Sequence, residues 1–379
     1  MESVTNIALT ESSAPRHAVV LTWVLAAAYL LVIVYASVQP FRDWRLPAAD
    51  VYGFLTAPWP KYITLSDVLI NVVAYVPLGF LVAFGLRLSM PPAGAVLAGF
   101  AFAVALSIGM ESIQMFLPAR RASNVDVLAN GAGGLAGALA APLFLPARAL
   151  GARLTRLRDQ WFTPGALTDA GMVVALLWVV AHLNPYTQAF GTGHLRETFE
   201  LPALFFHTPG LLLSAEATVV FFNLAGVGLL LSTLLKRERH PALLIAGVIV
   251  AALAAKMLIS AVLGKSQGVW AWLTPGVMLG LLLGATLLAG LLALGRISRL
   301  ILATLSLLLA LAVINLAPDN PYFSLPAPLT SGRVSHVLSF SSILRALSEL
   351  WPLLALAYLS TALWTQWTQS KPWAAHARR

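Results

Sequence analysis

The sequence predicts an all-α, polytopic helical membrane protein with about 10 transmembrane helices. Hydrophobic residues make up 59% of the 379-residue chain and charged residues only 10%, whereas soluble domains are about 45–50% apolar. The apolar residues fall into runs close to the roughly 20 residues that a helix needs to cross a bilayer. Lys and Arg lie mainly in the connections between these runs, a pattern typical of a membrane topology signal.

Ten apolar stretches are candidate membrane spans. They cover residues 17–37, 66–88, 93–116, 125–145, 168–183, 214–235, 241–262, 269–294, 299–316 and 347–367. Gly and Pro occur inside several of them, but neighbouring helices can satisfy the backbone groups that these residues free. The segment before the first stretch lacks a small-residue cleavage pattern, so we predict that the first helix is retained and is not removed as a signal peptide.

Positive charge alternates between the two sides of the predicted membrane. The side of the N terminus carries 14 Lys and Arg, and the other side carries 9 in longer loops. This bias predicts a multi-pass protein of the bacterial inner membrane with both termini cytoplasmic. The net charge of +9 is therefore explained by topology, and no nucleic acid partner is predicted.

Cysteine and histidine usage bears on metal and cofactor chemistry. The chain has no cysteine, which excludes disulfides and thiolate ligands. Its seven histidines are scattered without the spacing of zinc ligands. We therefore predict no metal site and no cofactor.

An internal repeat is visible when the predicted spans are aligned. Asp67 lies twelve residues before Gly79, and Glu216 lies twelve before Gly228. This spacing predicts a four-helix unit at residues 1–147, a degenerate second four-helix unit at 148–297, and a truncated third unit of two helices at 298–379. Chance similarity among helices rich in Leu, Ala and Gly is the alternative.

The second predicted unit has lost most of the polar groups of the first. In this alignment, the positions of Glu111, Gln114, Asp126 and Asn130 are taken by Lys256, Ile259, Ala271 and Pro275. A lone cation at membrane depth needs a partner. We expect Lys256 to pair with Glu216.

A row of polar residues lies at membrane depth in the second to fourth predicted helices of the first unit. Such groups should face one another or a wet cavity, and residues three or four apart share a helix face. A stripe of small residues, Gly133, Gly134 and Gly137, would let the fourth helix approach the third closely. We predict a shallow pocket near the outer interface, with a ligand-binding set of Asp67, Asn71, Glu111, Gln114, Arg120, Arg121, Asp126 and Asn130.

This polar set has three possible roles. It can hold the fold together through carboxylate–arginine pairs and amide cross-links. Alternatively, Arg120 and Arg121 can bind a phosphate, pyrophosphate or carboxylate headgroup, for which the planar guanidinium is well suited. Glu111 and Asp126 could also act as a general acid and base, or hold a divalent cation. No established catalytic motif is present, so a non-enzymatic role is favoured.

Four sequence blocks, in order and at suitable spacing, resemble the VanZ-like family of membrane proteins. The resemblance covers residues from about 20 to 145. Its blocks are Asp67-Val68-Leu69-Ile70-Asn71 with Val76-Pro77-Leu78-Gly79-Phe80, Glu111-Ser112-Ile113-Gln114, Arg120-Arg121, and Asn124-Val125-Asp126-Val127-Leu128-Ala129-Asn130.

A better-known member of this family is associated with low-level resistance to the glycopeptide teicoplanin. The resemblance therefore implies a cell-envelope protein linked to glycopeptide tolerance. Together with the polar set, it leads us to expect binding of an anionic membrane lipid or a lipid-linked cell-wall intermediate. A membrane enzyme acting on a phosphorylated lipid and a lipid transporter remain alternatives, and no oligomeric state is predicted.

Overall fold

A computed structural model of the chain describes most of its residues. These are residues 13–38, 44–47, 50–61, 63, 65–87, 89–118, 120–145, 147–184, 187–196, 208–263, 269–270, 272–317 and 336–369. They form eleven α-helices and no β-strand. The chain divides into two compact units, one comprising Met1–Leu157 with Leu329–Ile343 and the other Arg158–Pro328 with Leu344–Arg379.

The first unit is organised around its second helix. It contains α1 (Ser13–Val38), α2 (Leu65–Leu86), α3 (Pro92–Gln114), α4 (Asn124–Ala140) and most of α5 (Ala149–Trp161), with short 3-10 helices at Gly53–Leu55 and Ala141–Phe144. Helix α2 packs against α4, α3 and α1. Helix α4 begins after Ser123, whose hydroxyl accepts a hydrogen bond from the backbone N–H of Val125, as is usual at a helix N terminus.

The second unit is organised around a largely buried helix. Its helices are α6 (Ala166–Ala181), α7 (Pro209–Leu234), α8 (Pro241–Leu263), α9 (Pro275–Leu291), α10 (Arg296–Leu316) and most of α11 (His336–Gln369). Helix α7 packs against α10, α9, α6 and α8. Helices α7, α8 and α9 each begin with proline, which suits the first helical position because its missing N–H has no partner there.

The predicted fold class is confirmed: the protein is an all-α chain with apolar helices of membrane-spanning length. Among the described residues, eight helices are long and apolar enough to cross a membrane, and α6 and α9 are shorter apolar helices. A helix covers most of each of the ten predicted stretches. Helix α5 was not predicted. The division of the chain into units of four, four and two helices stays a prediction.

Candidate functional site

The site is built on a close contact between α2 and α4. A methyl group added at Gly133 would collide with the backbone carbonyl of Val72, and one added at Gly137 would collide with that of Val76. Only glycine lets the two backbones approach this closely. The glycine stripe was expected to face the third helix. Gly134 does, because an added methyl group there would collide with Ala103 of α3, whereas Gly133 and Gly137 face α2.

A buried hydrogen bond joins the same two helices nearer the start of α4. The Asn71 side-chain N–H donates to Asp126 Oδ1 at 2.8 Å. Both residues are more than 90% buried. A carboxylate removed from water needs such a donor, and a charge-assisted bond is stronger than a neutral one. This pair therefore helps to hold α4 on α2.

A second polar contact joins α4 to α3. Asn130 donates from Nδ2 to Ser107 Oγ at 2.9 Å, and both side chains are buried. This contact therefore fixes the start of α4 against α3.

The Glu111 carboxylate binds the N-terminal end of α4. Its Oε2 accepts a hydrogen bond from the backbone N–H of Ser123 at 2.8 Å, and its side chain is almost fully buried. A negative charge at a helix N terminus is favourable because it faces unpaired N–H groups and the positive end of the helix dipole. This carboxylate therefore satisfies the same helix end that Ser123 caps.

Arg120 and Gln114 donate hydrogen bonds to the C-terminal end of α1. Arg120 Nη2 donates to the carbonyl of Ala36 at 2.8 Å, and Gln114 Nε2 donates to that of Ser37 at 3.3 Å. Both carbonyls lie in the last turn of α1, where a positive charge is favourable. Burial lowers the pKa of Arg120, and the charge of Glu111 opposes this shift. Arginine stays protonated in proteins, so Arg120 serves as a fixed cation at the end of α1.

Arg121 differs from Arg120 because its side chain is exposed. Within the part of the chain that the structure describes, it has no hydrogen-bond or ion-pair partner. Its guanidinium is therefore available to a ligand from solvent or from the membrane surface.

The connection between α1 and α2 contributes further cations at this end of the unit. The backbone N–H of Arg45 donates to the carbonyl of Phe116 at 2.9 Å, and Asn124 Nδ2 donates to that of Ala57 at 2.7 Å. These bonds fix the connection to both sides of the α3–α4 turn. The side chains of Arg45 and Lys61 are exposed.

Aromatic residues accompany these cations. Trp44 is 49% exposed and Trp59 is 68% exposed. Trp at the level of the lipid headgroups is typical of membrane interfaces. We call the exposed Arg45, Lys61 and Arg121 the cationic rim.

The structure brings the predicted site residues to one end of the first unit. They fall into two groups that differ in solvent exposure. Asn71, Glu111, Gln114, Asp126 and Asn130 are buried and Asp67 and Arg120 are partly buried, whereas Arg121 is exposed. Sequence reasoning missed Ser123, the helix cap. The pattern Ser123-x-x-Asp126 before an apolar run is a helix-start signature that could have indicated it.

The fold defines a helical membrane protein whose N-terminal unit rests on a glycine-mediated helix pair with polar residues at one end. Residues 20–145, the N-terminal part of the chain, match the family model described as VanZ/LLP1. The match includes all eight predicted site residues and ends just after the 3-10 helix that follows α4. A search of curated proteins and a search of solved structures returned no match.

Proposed function

We propose that the first unit binds the anionic headgroup of a membrane lipid or of a lipid-linked cell-wall intermediate at the cationic rim. The observation that carries this proposal is the exposure of Arg121 beside a buried polar network. The network residues bond to one another and to helix ends, so Arg121 is the member of the predicted set that is exposed to a ligand.

A phosphate or pyrophosphate fits the rim chemically. A guanidinium offers paired N–H donors that match the oxygens of a phosphate, and lysine adds a compact positive charge. Trp44 and Trp59 are exposed on the same connection as Arg45 and Lys61, which favours a position at the level of lipid headgroups. The tail of the ligand would remain in the bilayer.

Topology supplies the biological setting. With both termini cytoplasmic in the inner membrane, as the charge bias predicts, the rim faces outward, where cell-wall intermediates are used. A protein that holds such an intermediate would alter its exposure to glycopeptides. Deleting the gene should therefore change the susceptibility of the host bacterium to teicoplanin, and restoring the wild-type gene should reverse the change.

The test compares binding of polyprenyl phosphate and polyprenol, which share a tail and differ in the phosphate. Purified full-length protein is titrated with each lipid in detergent micelles and measured by native mass spectrometry. We expect wild-type protein to prefer the phosphate. Arg121→Ala should weaken phosphate binding about tenfold, because a hydrogen bond to a charged group contributes roughly 1.5–3 kcal/mol. Adding Arg45→Ala and Lys61→Ala should weaken it further.

The matched control is Arg237→Ala. Arg237 is another exposed arginine in a connection, on the other side of the membrane in the predicted topology. It should bind both lipids like the wild type, and polyprenol binding should not change in any variant. Equal losses for Arg121→Ala and Arg237→Ala, or no preference of the wild type for the phosphate, would contradict the proposal.

A further inference from the structure

Helix α5 presents a narrow apolar stripe to its surroundings. Leu150, Leu154 and Leu157 are 42%, 43% and 44% exposed. Their spacing of four and three residues places them on one helix face. The opposite side carries Thr155 and Asp159, both exposed. The helix is therefore amphipathic, and its apolar face is not covered by the rest of the unit.

Arginines flank this stripe. At about 100° per residue, Arg153 lies beside one edge of the stripe and Arg158 beside the other. Arg158 is engaged by Asp169 at 2.6 Å, whose hydrogen bond raises the pKa of Arg158. Arg153 and Arg156 are exposed, and neither forms an ion pair among the described residues. The helix therefore places Arg153 beside the three leucines, whereas Arg156 lies on the polar side, where its Nε donates to the carbonyl of Ala152 at 3.2 Å.

The position of α5 along the chain holds it near the membrane boundary. The apolar segment that includes α4 ends at Phe144, and α5 begins five residues later. A methyl group added at Gly151 would collide with the carbonyl of Leu145, so the first turn of α5 lies directly against the end of that segment. The next apolar helix, α6, begins at Ala166. Short connections at both ends leave α5 little room to move away from the bilayer surface.

We propose that α5 lies in the plane of the membrane at the end of the first unit opposite the cationic rim and binds a surface of anionic phospholipids. The leucine stripe inserts between the headgroups, and Arg153 at its edge contacts lipid phosphates. Helices with leucine on one side and arginine beside it bind anionic interfaces in this way, and long arginine side chains reach from the apolar boundary to the headgroups. In the predicted topology, this is the cytoplasmic leaflet.

Lipid is the occupant that these features favour over a second protein. The stripe is one residue wide, which gives little area for a stable protein interface. Helix α5 also follows a membrane-spanning helix closely along the chain, so lipid is present where α5 begins. The inference is independent of the cationic rim, because it uses different residues at the other end of α4.

The test uses the absence of cysteine in the wild type. Leu154→Cys and Thr155→Cys are each made in the full-length chain, labelled with a nitroxide, and reconstituted in nanodiscs of phosphatidylcholine with or without phosphatidylglycerol. Accessibility to oxygen reports contact with lipid, and accessibility to a water-soluble nickel chelate reports contact with water. Thr155 is the matched control because it neighbours Leu154 on the polar side.

We expect the label at Leu154 to contact lipid and the label at Thr155 to contact water, with the contrast larger when phosphatidylglycerol is present. Adding Arg153→Ala to Leu154→Cys should lower the population of the membrane-bound helix about fivefold at low salt, and adding Arg156→Ala, on the polar side, should lower it less. Equal water contact of the labels at the two positions would overturn the proposal. A helix that faces solvent, or one that is covered by a protein partner, would give this result. An arginine-independent result, identical in both lipids, would overturn the role of anionic lipid.

Discussion

The pair α2–α4 in the first unit and the pair α7–α9 in the second unit share their backbone packing but not their polar chemistry. Gly280 and Gly284 of α9 face the carbonyls of Ala217 and Phe221 of α7, as Gly133 and Gly137 of α4 face carbonyls of α2. Each shorter helix also begins after a hydroxyl cap, Ser123 or Thr274. The two pairs therefore follow the same packing rule, in which small residues bring backbones together.

The two helix pairs differ in the side chains beside these contacts, which are polar in the first unit and apolar in the second. Matching the helix caps Ser123 and Thr274 aligns Gly133 with Gly284 and, through their carbonyl contacts, Val72 with Phe221. In this register the positions of Asn71 and Asp126 are taken by Val220 and Val277. Both valines are fully buried. The sequence alignment had placed Ala271 opposite Asp126, but Ala271 lies outside the described residues. The helix pair can close with two valines, so the Asn71–Asp126 bond is not required for this packing.

The neighbouring helices also differ. In the first unit, α3 packs on α4 and supplies Ser107 and Glu111, whereas α8 of the second unit packs against α6 and α7. Lys256 of α8 donates to the carbonyl of Asn184 at 2.6 Å and to that of Thr187. The predicted pair with Glu216 was wrong, because Glu216 accepts from Thr274 Oγ1 at 2.5 Å. What distinguishes the first unit is thus a third helix that joins the polar contacts of the pair.

The largest expected effect tests the shared feature. Gly137→Ala forces a methyl group against the carbonyl of Val76 and should destabilise the protein by roughly 3 kcal/mol, at the upper end for overpacking. Gly284→Ala, where the nearest carbonyl is 3.1 Å from the added carbon, should cost less. Thermal unfolding in detergent micelles measures both. Gly247→Ala is the control, because no atom lies within 4 Å of the added carbon. A loss for Gly247→Ala as large as that for Gly137→Ala would contradict the role of close packing.

The next effect tests the polar difference. Asp126→Val should cost about 1–3 kcal/mol because it leaves the Asn71 amide buried without its acceptor. Adding Asn71→Val should restore part of this stability, because the double variant reproduces the valine pair of the second unit. Unfolding of both single variants and of the double variant gives the coupling energy of the pair. A purely additive result would show that the two side chains do not act as a pair.

A smaller effect tests the second unit. Lys256→Met keeps much of the side-chain length but removes the ammonium, and it leaves the carbonyls of Asn184 and Thr187 without this donor. We expect a loss of about 1–2 kcal/mol. Glu216→Gln should have less effect on the Lys256 contact, since the two side chains are not bonded. If Lys256→Met destabilised the protein only when Glu216 was present, the originally predicted ion pair would be supported instead.

The smallest effects separate the two adjacent arginines. Arg120→Ala removes a bond to the end of α1 and should cost about 1 kcal/mol. Arg121→Ala changes an exposed side chain and should stay within about 0.5 kcal/mol of the wild type. The same unfolding measurement serves both variants. Equal losses would mean that Arg121 also belongs to the packing of the unit.

The sequence predicted the apolar helices well because hydropathy and span length are physical requirements of the bilayer. It also predicted that Asn71, Glu111 and Asp126 would come together, because α2 and α4 begin where the antiparallel α3 ends. It could not predict their partners. Glu111 accepts from a backbone N–H of Ser123, and Lys256 donates to backbone carbonyls, and backbone groups carry no signature in the side-chain pattern.

Helix α5 was missed for a related reason. The segment is short and mostly polar, with three leucines in the helix and four arginines in it or just before it. This pattern is typical of a loop between long apolar runs. The alignment of Asp67 with Glu216 gives the same register for α2 and α7 as the carbonyl contacts do. The alignment of α4 with α9 differs, because counting from polar residues does not locate the point where two backbones touch. Contacts of this kind depend on where neighbouring helices begin.

The most direct test of the account compares affinity and stability in the same preparations of Arg121→Ala and Asp126→Val. We predict that Arg121→Ala loses about tenfold in polyprenyl phosphate affinity while its unfolding temperature stays unchanged. Asp126→Val should unfold at a lower temperature and, while folded, retain the phosphate affinity of the wild type. The reverse result, with affinity lost in folded Asp126→Val and kept in Arg121→Ala, would place the ligand in the buried network and contradict the assignment of the cationic rim.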